Sequence, residues 1–286
     1  MPKSVKSKKE SGSRLVVTQL LWVDSMTLTL DRDVCIGCDL CRQVCPKEAI
    51  SLSLTRGDRE FSATADIDER KCSMCGLCVT FCPVNAVGLV TRNTWKETES
   101  EVSPILDAGG VPHFSKGMGL DASLCPPGCD LCVNACPRQA LLLGTRGVTL
   151  DRERCLSCAH CEAACPVPGA IKVTRLFYGT VEVDVEKCPE GCELCVTTCP
   201  TLCYTALSPK GVEVDPRHCI CCGACLVACP HGAIDLTRLR LHCAGDGFSA
   251  VWSRAVDRLL SENSRFLQQN ETNYVKLTEM LRGSRL

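Results

Sequence analysis

Aromatic residues are scarce in this chain of 286 residues, where Phe, Trp and Tyr together make up 4%. Aromatic side chains bury the largest areas in a hydrophobic core, so a chain this poor in them is expected to build only small cores. Small cores rarely stabilise a fold without disulfide bonds or bound metal. The composition therefore predicts small domains that depend on cross-links.

A long apolar run is also lacking. Residues 1–10 are basic, but the apolar segment of a signal peptide does not follow them. The stretch from Leu15 to Val23 is apolar but short, and Thr18 and Gln19 interrupt it. A membrane-spanning helix needs about 20 apolar residues. We expect no membrane span and a cytoplasmic protein whose cysteines stay reduced.

Sequence motifs of catalysis are missing as well. The chain has no nucleophile–base arrangement, phosphate-binding loop or dinucleotide fingerprint. The histidines lie in loops or beside cysteines, and we interpret each as an ordinary polar residue: His113, His160, His218, His231 and His242. We therefore expect no catalytic site in the chain itself.

Cysteine, in contrast, is abundant, with 27 copies. Of these, 24 fall into six motifs of four, and a proline directly follows the fourth cysteine each time. The motifs are Cys35, Cys38, Cys41, Cys45 (motif 1); Cys72, Cys75, Cys78, Cys82 (motif 2); Cys125, Cys129, Cys132, Cys136 (motif 3); Cys155, Cys158, Cys161, Cys165 (motif 4); Cys188, Cys192, Cys195, Cys199 (motif 5); and Cys219, Cys222, Cys225, Cys229 (motif 6). Without a secretory signal, this density favours metal ligation over disulfide bonds.

The spacing C-x2-C-x2-C-x3-C-P in motif 1 resembles that of bacterial-type ferredoxins, which hold 4Fe-4S clusters through thiolates. The resemblance implies that three cysteines of a motif hold one cluster, while the fourth reaches the other cluster of a pair. Six clusters are implied, with these ligands: Cys35, Cys38, Cys41, Cys82 (site I); Cys72, Cys75, Cys78, Cys45 (site II); Cys125, Cys129, Cys132, Cys165 (site III); Cys155, Cys158, Cys161, Cys136 (site IV); Cys188, Cys192, Cys195, Cys229 (site V); and Cys219, Cys222, Cys225, Cys199 (site VI).

Bound clusters would change the charge of the molecule. The formal net charge of −1 counts every cysteine as a neutral thiol. With six clusters on thiolates, the net charge becomes about −13. An acidic protein of this kind is a poor partner for nucleic acid and suits basic docking surfaces on other proteins.

Turns between the motifs indicate how the motifs pair. In two-cluster ferredoxins the first and last strands pair, and the central strands form a hairpin. Residues 145–147 and 209–211 suit such central hairpins, and a turn at Tyr178 and Gly179 would separate two modules. We therefore expect motif 1 to pair with 2, 3 with 4, and 5 with 6. Nested pairing, as in some four-cluster electron-transfer subunits, is the alternative.

The expected fold class is α+β, with three tandem two-cluster ferredoxin modules and a C-terminal helical tail. The modules span residues 25–92, 119–177 and 178–240. After each Cys-Pro pair, an alanine followed by an aliphatic residue is expected to lead into the next strand. After motif 5 we assign these positions to Ala206 and Leu207.

Three segments lie outside the modules. Residues 1–24 read as a basic, disordered tail, within which Leu15 to Val23 adds an edge strand to the first module. Docking of this segment on a neighbouring protein is the alternative. Residues 93–118 read as an inter-module loop, either a linker or a docking arm.

Residues 241–286 read as a helical tail that docks on other subunits of a redox complex. Trp252, Val256, Leu259 and Leu260 recur at helical spacing within a helix expected from Phe248 to Leu267. A second helix is expected from Thr272 to Arg282. The alternative is that the apolar stripe packs on the modules of the same chain.

Other metal chemistries fit the cysteines less well. Motifs 3 and 5 contain the C-x3-C-x2-C spacing of radical-SAM enzymes, but Cys136 and Cys199 complete the ferredoxin pattern and no barrel-sized domain follows. Structural zinc uses cysteine pairs without this triplet rhythm. The spare cysteines, Cys203, Cys221 and Cys243, read as small buried apolar residues, and a replacement ligand is the alternative for Cys221.

The six motifs together resemble the polyferredoxins of methanogenic archaea. The polyferredoxin subunit of formylmethanofuran dehydrogenase is the most similar type, because both share Cys-Pro-x-Gly-Cys at Cys125 and Cys188, Val-x-Val-Asp before motifs 5 and 6, and a helical tail. The resemblance implies relay of low-potential electrons to that enzyme for CO2 reduction in methanogenesis. A hydrogenase-associated polyferredoxin and a free multi-cluster carrier are the alternatives.

Overall fold

The computed structural model describes residues 5–57, 60–93, 98–100, 113–114, 116–145, 147–207, 209–244 and 250–260. The chain begins with β1 (Val5–Ser11) and β2 (Arg14–Leu20). Repeat 1 (residues 24–93) contains β3 (Asp24–Asp31), α1 (Leu40–Val44), β4 (Ile50–Arg56), β5 (Phe61–Ile67), α2 (Leu77–Thr80) and β6 (Val87–Asn93). Two short strands follow, β7 (Thr98–Ser100) and β8 (His113–Phe114).

Repeat 2 (residues 117–174) contains β9 (Gly117–Leu120), α3 (Leu131–Asn134), β10 (Leu141–Gly144), β11 (Gly147–Leu150), α4 (His160–Ala164) and β12 (Ile171–Thr174). Repeat 3 (residues 177–241) contains β13 (Phe177–Val183), α5 (Leu194–Thr198), β14 (Tyr204–Ala206), β15 (Val212–Val214), α6 (Ala224–Ala228) and β16 (Ile234–Leu241). The described chain ends with β17 (Cys243–Ala244) and α7 (Ala250–Leu260).

Strand pairing follows one pattern in all three repeats. The first strand pairs antiparallel with the last, in β3–β6, β9–β12 and β13–β16. The two middle strands form hairpins, in β4–β5, β10–β11 and β14–β15. The two short helices of each repeat contact each other. The strands therefore pair in the sequential order of the motifs rather than in the nested order.

The expected turn at Tyr178 and Gly179 is wrong. β12 ends at Thr174 and β13 begins at Phe177, so the chain reverses before both residues. Gly179 instead lies inside β13, where the register with β16 shifts. A Cβ atom on Gly179 would lie 1.9 Å from the Thr237 carbonyl oxygen, so this irregularity requires glycine.

The disordered tail is wrong for residues 5–20, and the strand expected from Leu15 is present but does not lie at the sheet edge. β1 and β2 form a hairpin, and β2 is an inner strand of the five-stranded sheet β1-β2-β3-β6-β7. Leu15 and Val17 on β2 are fully buried. A strand with buried apolar side chains is expected between two neighbouring strands, as β2 is between β1 and β3. Lys8 pairs with Asp66 at 2.6 Å, and Lys6 donates to the Cys72 carbonyl, so contacts within the protein satisfy these basic residues.

The expected loop at 93–118 is only partly described. β7 pairs with β6, and β8 pairs with β17. β9 begins repeat 2 at Gly117. Residues 94–97, 101–112 and 115 lie outside the described residues, so the prediction of a docking arm there stays a prediction.

The C-terminal helix α7 packs on the repeats of its own chain, so the prediction that its apolar stripe covers a partner is wrong. Trp252, Val256 and Leu259 are buried. The Trp252 ring lies 5.9 Å from that of Phe81, which stacks on Phe177 of repeat 3. These rings form an apolar surface that accepts the helix. Residues 261–286, with the second expected helix, lie outside the described residues.

The buried residues form two hydrophobic clusters. The larger joins repeats 1 and 3 with α7 and includes Leu156 and Cys158 of repeat 2, and the smaller lies within repeat 2. Among the described helices, none has the length and apolar character needed to cross a membrane.

Candidate metal centres

The cysteine loops are wound by residues with left-handed backbone. In motif 1, Gly37 and Asp39 flank the second cysteine with φ of 65° and 67°. A Cβ atom on Gly37 would lie 2.2 Å from the Cβ of Ala63, so this position has space only for glycine. The third cysteine of the motif lies on the short helix that follows. This winding places three closely spaced cysteines around one space.

Three cavities are each lined by three cysteines of one motif and the fourth cysteine of the paired motif. They contain the complete sets proposed for site II (Cys45, Cys72, Cys75, Cys78), site IV (Cys136, Cys155, Cys158, Cys161) and site VI (Cys199, Cys219, Cys222, Cys225).

At the other three sites, the charge of the fourth cysteine of one motif contributes to raising the pKa of cysteines in the paired motif. At site I, the charge of Cys82 contributes to raising the pKa of Cys35 and of Cys38, after the larger effect of burial. Cys165 acts in this way on Cys132 at site III, where burial is again the largest cause of the raised pKa. At site V, after burial, Cys229 contributes to the raised pKa values of Cys188 and Cys195. The cavities thus bring together the expected sets of sites II, IV and VI, and at sites I, III and V the exchanged cysteine lies close to cysteines of the paired motif.

A recurring turn holds the fourth cysteine of motifs 1, 2 and 3. The alanine N–H four residues later donates to its sulfur, from Ala49 to Cys45 at 3.3 Å, from Ala86 to Cys82 at 3.2 Å and from Ala140 to Cys136 at 3.3 Å. In all six motifs, a carbonyl in the equivalent turn accepts from an aspartate N–H at the start of the paired motif. The six aspartate–acceptor pairs are Asp31–Ala86, Asp68–Ala49, Asp121–Ala170, Asp151–Ala140, Asp184–Ala233 and Asp215–Cys203.

Cys203 therefore occupies the position of the alanine, and the assignment of Ala206 and Leu207 to this position is wrong. The preceding Leu202 has φ of 52°, matching Glu48 before Ala49. Spacing is the signal in the sequence that locates it, because Cys203 lies four residues after Cys199, as Ala49 lies four after Cys45.

The chemistry of the donors fits 4Fe-4S clusters. Burial is the main cause that raises the pKa of Cys161 and of Cys195 to about 12, with neighbouring cysteines adding to it. Buried thiols that are costly to ionise are stabilised as thiolates by cationic iron. Among the described residues, no three His, Cys, Asp or Glu side chains converge on a single metal ion. Four proposed ligand cysteines instead line each of the three cavities, together with Cys203 at site VI, as expected around a cubane cluster.

Arg238 is a second observation that fits bound clusters. It is buried, and it donates to the carbonyl oxygens of Cys221 and Cys222 at 2.7 and 2.9 Å. Burial lowers its pKa, while the charges of Cys222 and Cys38 oppose that shift. No ion pair of the described residues includes Arg238. A buried cation requires nearby negative charge, which thiolate-bound clusters supply.

Basic side chains also mark the junctions between repeats. Lys116 donates to the Cys82 carbonyl at 2.8 Å, from the start of repeat 2 to repeat 1. Arg175 donates to the carbonyls of Cys158 in repeat 2 and Cys219 in repeat 3, both at 3.4 Å. With Arg238 between Cys222 and Cys38, these contacts place sites I, IV and VI where the repeats meet.

Two of the histidines pack at one of these junctions. The rings of His160 and His218 stack with centroids 3.7 Å apart. His160 Nε2 lies 2.7 Å from the Thr201 carbonyl oxygen, and His218 Nδ1 lies 3.3 Å from that of Cys158. Both histidines thus join repeats 2 and 3.

Comparison with known proteins agrees with this geometry. Residues 34–86 and 124–170 match the 4Fe-4S dicluster domain family. A stretch of the chain is 33% identical over 94 residues to the polyferredoxin-like subunit of an aliphatic sulfonate oxidoreductase from Pyrococcus furiosus, covering 29% of this chain and 53% of that subunit. Two segments of the chain thus match a 4Fe-4S ferredoxin-type domain, and the chain is similar to a polyferredoxin-like subunit. It spans about half the length of that relative.

A further relative and a chain of a solved structure are also similar to this chain. The chain is 29% identical over 134 residues to the ferredoxin-type protein NapF of Escherichia coli, covering 40% of this chain and 76% of NapF. It also resembles a chain in the formate dehydrogenase–heterodisulfide reductase–formylmethanofuran dehydrogenase complex of Methanospirillum hungatei. That match has a TM-score of 0.71 and 29% identity, and it covers 90% of this chain and 91% of the other.

Proposed function

We propose that the chain is an electron-transfer protein that carries six 4Fe-4S clusters in three two-cluster modules, at residues 25–92, 119–177 and 178–240. The observation that carries this proposal is the exchange of the fourth cysteine between paired motifs, seen in the cavities of sites II, IV and VI. When bound, each cluster takes up and releases one electron. The proposed ligands are the 24 cysteines of sites I to VI.

The residues around the proposed sites suit transfer between modules. Exchanged ligands hold two sites of one module close together. Lys116 and Arg175 join neighbouring repeats through carbonyl oxygens of proposed ligand cysteines, and Arg238 donates to the Cys222 carbonyl within repeat 3 and lies near Cys38 of repeat 1. Their positive charges offset the negative charge of reduced clusters at the junctions. We therefore propose that electrons cross between modules at sites I, IV and VI.

The exchange of ligands is tested with two variants of one motif. Cys45→Ala removes a proposed ligand of site II, whereas Cys41→Ala removes one of site I. After anoxic purification, accessible thiols are alkylated and identified by mass spectrometry. Cys45→Ala should expose Cys72, Cys75 and Cys78, and Cys41→Ala should expose Cys35, Cys38 and Cys82. Exposure of the motif 1 thiols in both variants would show that the ligands are not exchanged.

The number of clusters is tested by composition. The anoxically purified chain should hold about 24 iron and 24 sulfide per polypeptide. The reduced protein should give the electron paramagnetic resonance signals of 4Fe-4S clusters. Markedly less iron after complete reconstitution would contradict six clusters.

We further propose that the chain is a subunit without its own catalytic site, and that it relays low-potential electrons to formylmethanofuran dehydrogenase. The match to a chain of a complex that contains this enzyme, over 90% of this chain, supports the proposal. Anoxic affinity purification from the native host should recover subunits of that enzyme. Recovery of a hydrogenase would favour the hydrogenase-associated alternative, and recovery of the chain alone would favour a free carrier.

Docking on the partner is proposed for residues 261–286, because α7 is covered by the chain itself. In the sequence, Tyr274, Leu277 and Leu281 recur at helical spacing in this segment. Truncation after Leu260 should release the partner while the iron content stays unchanged. Undiminished binding of the truncated chain would place the docking surface elsewhere.

A further inference from the structure

Site VI differs from its counterparts in the residues that follow the fourth cysteine. The equivalent positions, two, four and five residues after that cysteine, are Lys47, Ala49 and Ile50 at site II; Arg138, Ala140 and Leu141 at site IV; and Thr201, Cys203 and Tyr204 at site VI. Only at site VI do all three positions carry a small or aromatic side chain with an O–H or S–H group. All three residues line the cavity of site VI.

These groups are buried against the proposed ligand Cys199. The Cys203 sulfur lies 3.3 Å from that of Cys199, and the Thr201 hydroxyl lies 3.4 Å from it. Thr201 and Cys203 are 1% and 4% exposed. Since Cys199 as a ligand is a thiolate and has no proton, the hydroxyl and the Cys203 thiol are the donors in these contacts.

Tyr204 adds a third buried group to the lining of the same cavity. It is 5% exposed, and its hydroxyl has no hydrogen bond of normal geometry among the described residues. This hydroxyl interacts with Cys225, another proposed ligand of site VI. A buried phenol without a partner is costly, and a thiolate at Cys225 offers it an acceptor.

Hydrogen bonds to ligand sulfurs help set the reduction potential of an iron–sulfur cluster. A donor stabilises the reduced form more than the oxidised form, because the reduced cluster carries one more negative charge. We propose that Thr201, Cys203 and Tyr204 make site VI the site of highest reduction potential in this chain. The inference rests on the proposed function, since it requires a cluster at this site.

The position of site VI suits a role in electron transfer between the repeats. Arg238 donates to the Cys222 carbonyl of this site and also lies near Cys38 of site I. A cluster held at site VI would be reduced by one electron, and the neighbouring reduced cluster that donates it would be oxidised by one electron. Neither step moves a proton or breaks a bond. Site VI thus collects electrons at the junction of the repeats.

The test replaces Cys203 with the residue found at the equivalent position in the other five sites. In an anoxic redox titration followed by electron paramagnetic resonance, Cys203→Ala should move the midpoint potential of one cluster to a lower value and leave the others in place. Cys203→Ser retains a donor and should give a smaller shift. The matched reverse change, Ala140→Cys, adds a thiol at site IV and should raise one midpoint.

Iron content separates this inference from the proposed function. Cys203→Ala should keep the iron content of the wild-type chain. Unchanged midpoints at full iron content would overturn the inference and leave the six clusters in place. Loss of about four iron atoms per chain in Cys203→Ala would also overturn the inference, because Cys203 would then be a cluster ligand rather than a hydrogen-bond donor. A wild-type chain without a cluster at site VI would contradict the proposed function itself.

Discussion

Arg238 donates from Nη2 to the carbonyl oxygen of Cys222, 2.9 Å away. The same guanidinium lies over the ring of Phe177 at 5.4 Å. A Cβ atom on Gly223 would lie 2.8 Å from this Nη2 atom, so a side chain at that position would displace the guanidinium from its present place. Arg238 on β16 thus contacts the cysteine loop of motif 6 and the ring of Phe177. Phe177 in turn stacks on Phe81 of repeat 1.

Loss of this arginine should destabilise the protein. Arg238→Met removes the charged donor from two buried carbonyls, so we expect the free energy of unfolding to fall by about 2 to 4 kcal/mol. Anoxic guanidinium denaturation, followed by cluster absorbance, measures this change. Arg240→Met is the matched control, since Arg240 is exposed and stacks on Tyr178 at 4.4 Å. Its expected cost is about 1 kcal/mol or less, and equal losses in both variants would contradict this account.

The packing of α7 on its own chain predicts a stability effect without any partner. Trp252→Ala removes a buried ring that contacts Phe81, so we expect a loss of about 3 to 5 kcal/mol in the isolated chain. The measurement is the denaturation midpoint of the purified protein. Val251→Ala, on the exposed side of the same helix, should change stability by less than about 0.5 kcal/mol. If Trp252→Ala left the isolated chain unaffected, α7 would not be covered by the repeats.

The N-terminal hairpin should contribute to the stability of repeat 1. Leu15→Ala removes a fully buried side chain and should cost about 2 to 5 kcal/mol. Leu20→Ala, the same change on the same strand at an exposed position, should cost less than about 0.5 kcal/mol. Amide hydrogen exchange in β2 and β3 reports the difference. Rapid exchange of β2 in the wild-type protein would contradict a stable inner strand.

The cysteine loop of motif 1 should not tolerate a side chain at Gly37. Gly37→Ala combines left-handed backbone strain with a clash against Ala63, so we expect loss of the cluster at site I. Gly12→Ala isolates the strain, because Gly12 has φ of 59° and open space around it. That control should cost about 1 to 2 kcal/mol and retain all iron. Iron analysis of both variants decides the matter, and full iron in Gly37→Ala would disprove the steric argument.

Removal of the iron should unfold much of the chain, because the apolar clusters are small and the cysteine loops cross between motifs. An anoxic chelator under denaturant-free conditions should reduce the far-ultraviolet circular dichroism of the strands, and reconstitution should restore it. A chain that kept its strands and slow amide exchange without iron would show that packing alone stabilises it.

Much of the local structure was predictable from the sequence. The hairpins at residues 145–147 and 209–211 form between neighbouring strands, as expected, because a few residues determine such turns. The three closely spaced cysteines of each motif are likewise a short-range feature. The position of Cys203 was missed, because the Ala206–Leu207 pair has the same composition as the true counterparts and lies only three residues away.

The amphipathic segments were harder to place. β2 and α7 each carry an apolar stripe, and a stripe has the same sequence pattern whether its own chain or a partner covers it. Leu15 and Trp252 are buried because repeat 1 offers surfaces that only exist after distant residues have come together.

The sequence by itself determined which cysteines belong to one loop and which strands form hairpins, and it predicts that metal supplements the small cores. These properties depend on spacings of a few residues and on composition. The tertiary structure decided that α7 is internal, that Cys203 lies beside Cys199, and that Arg238 links the loops of Cys38 and Cys222. Such contacts join positions far apart in the chain, and only the packed fold brings them within the reach of a side chain.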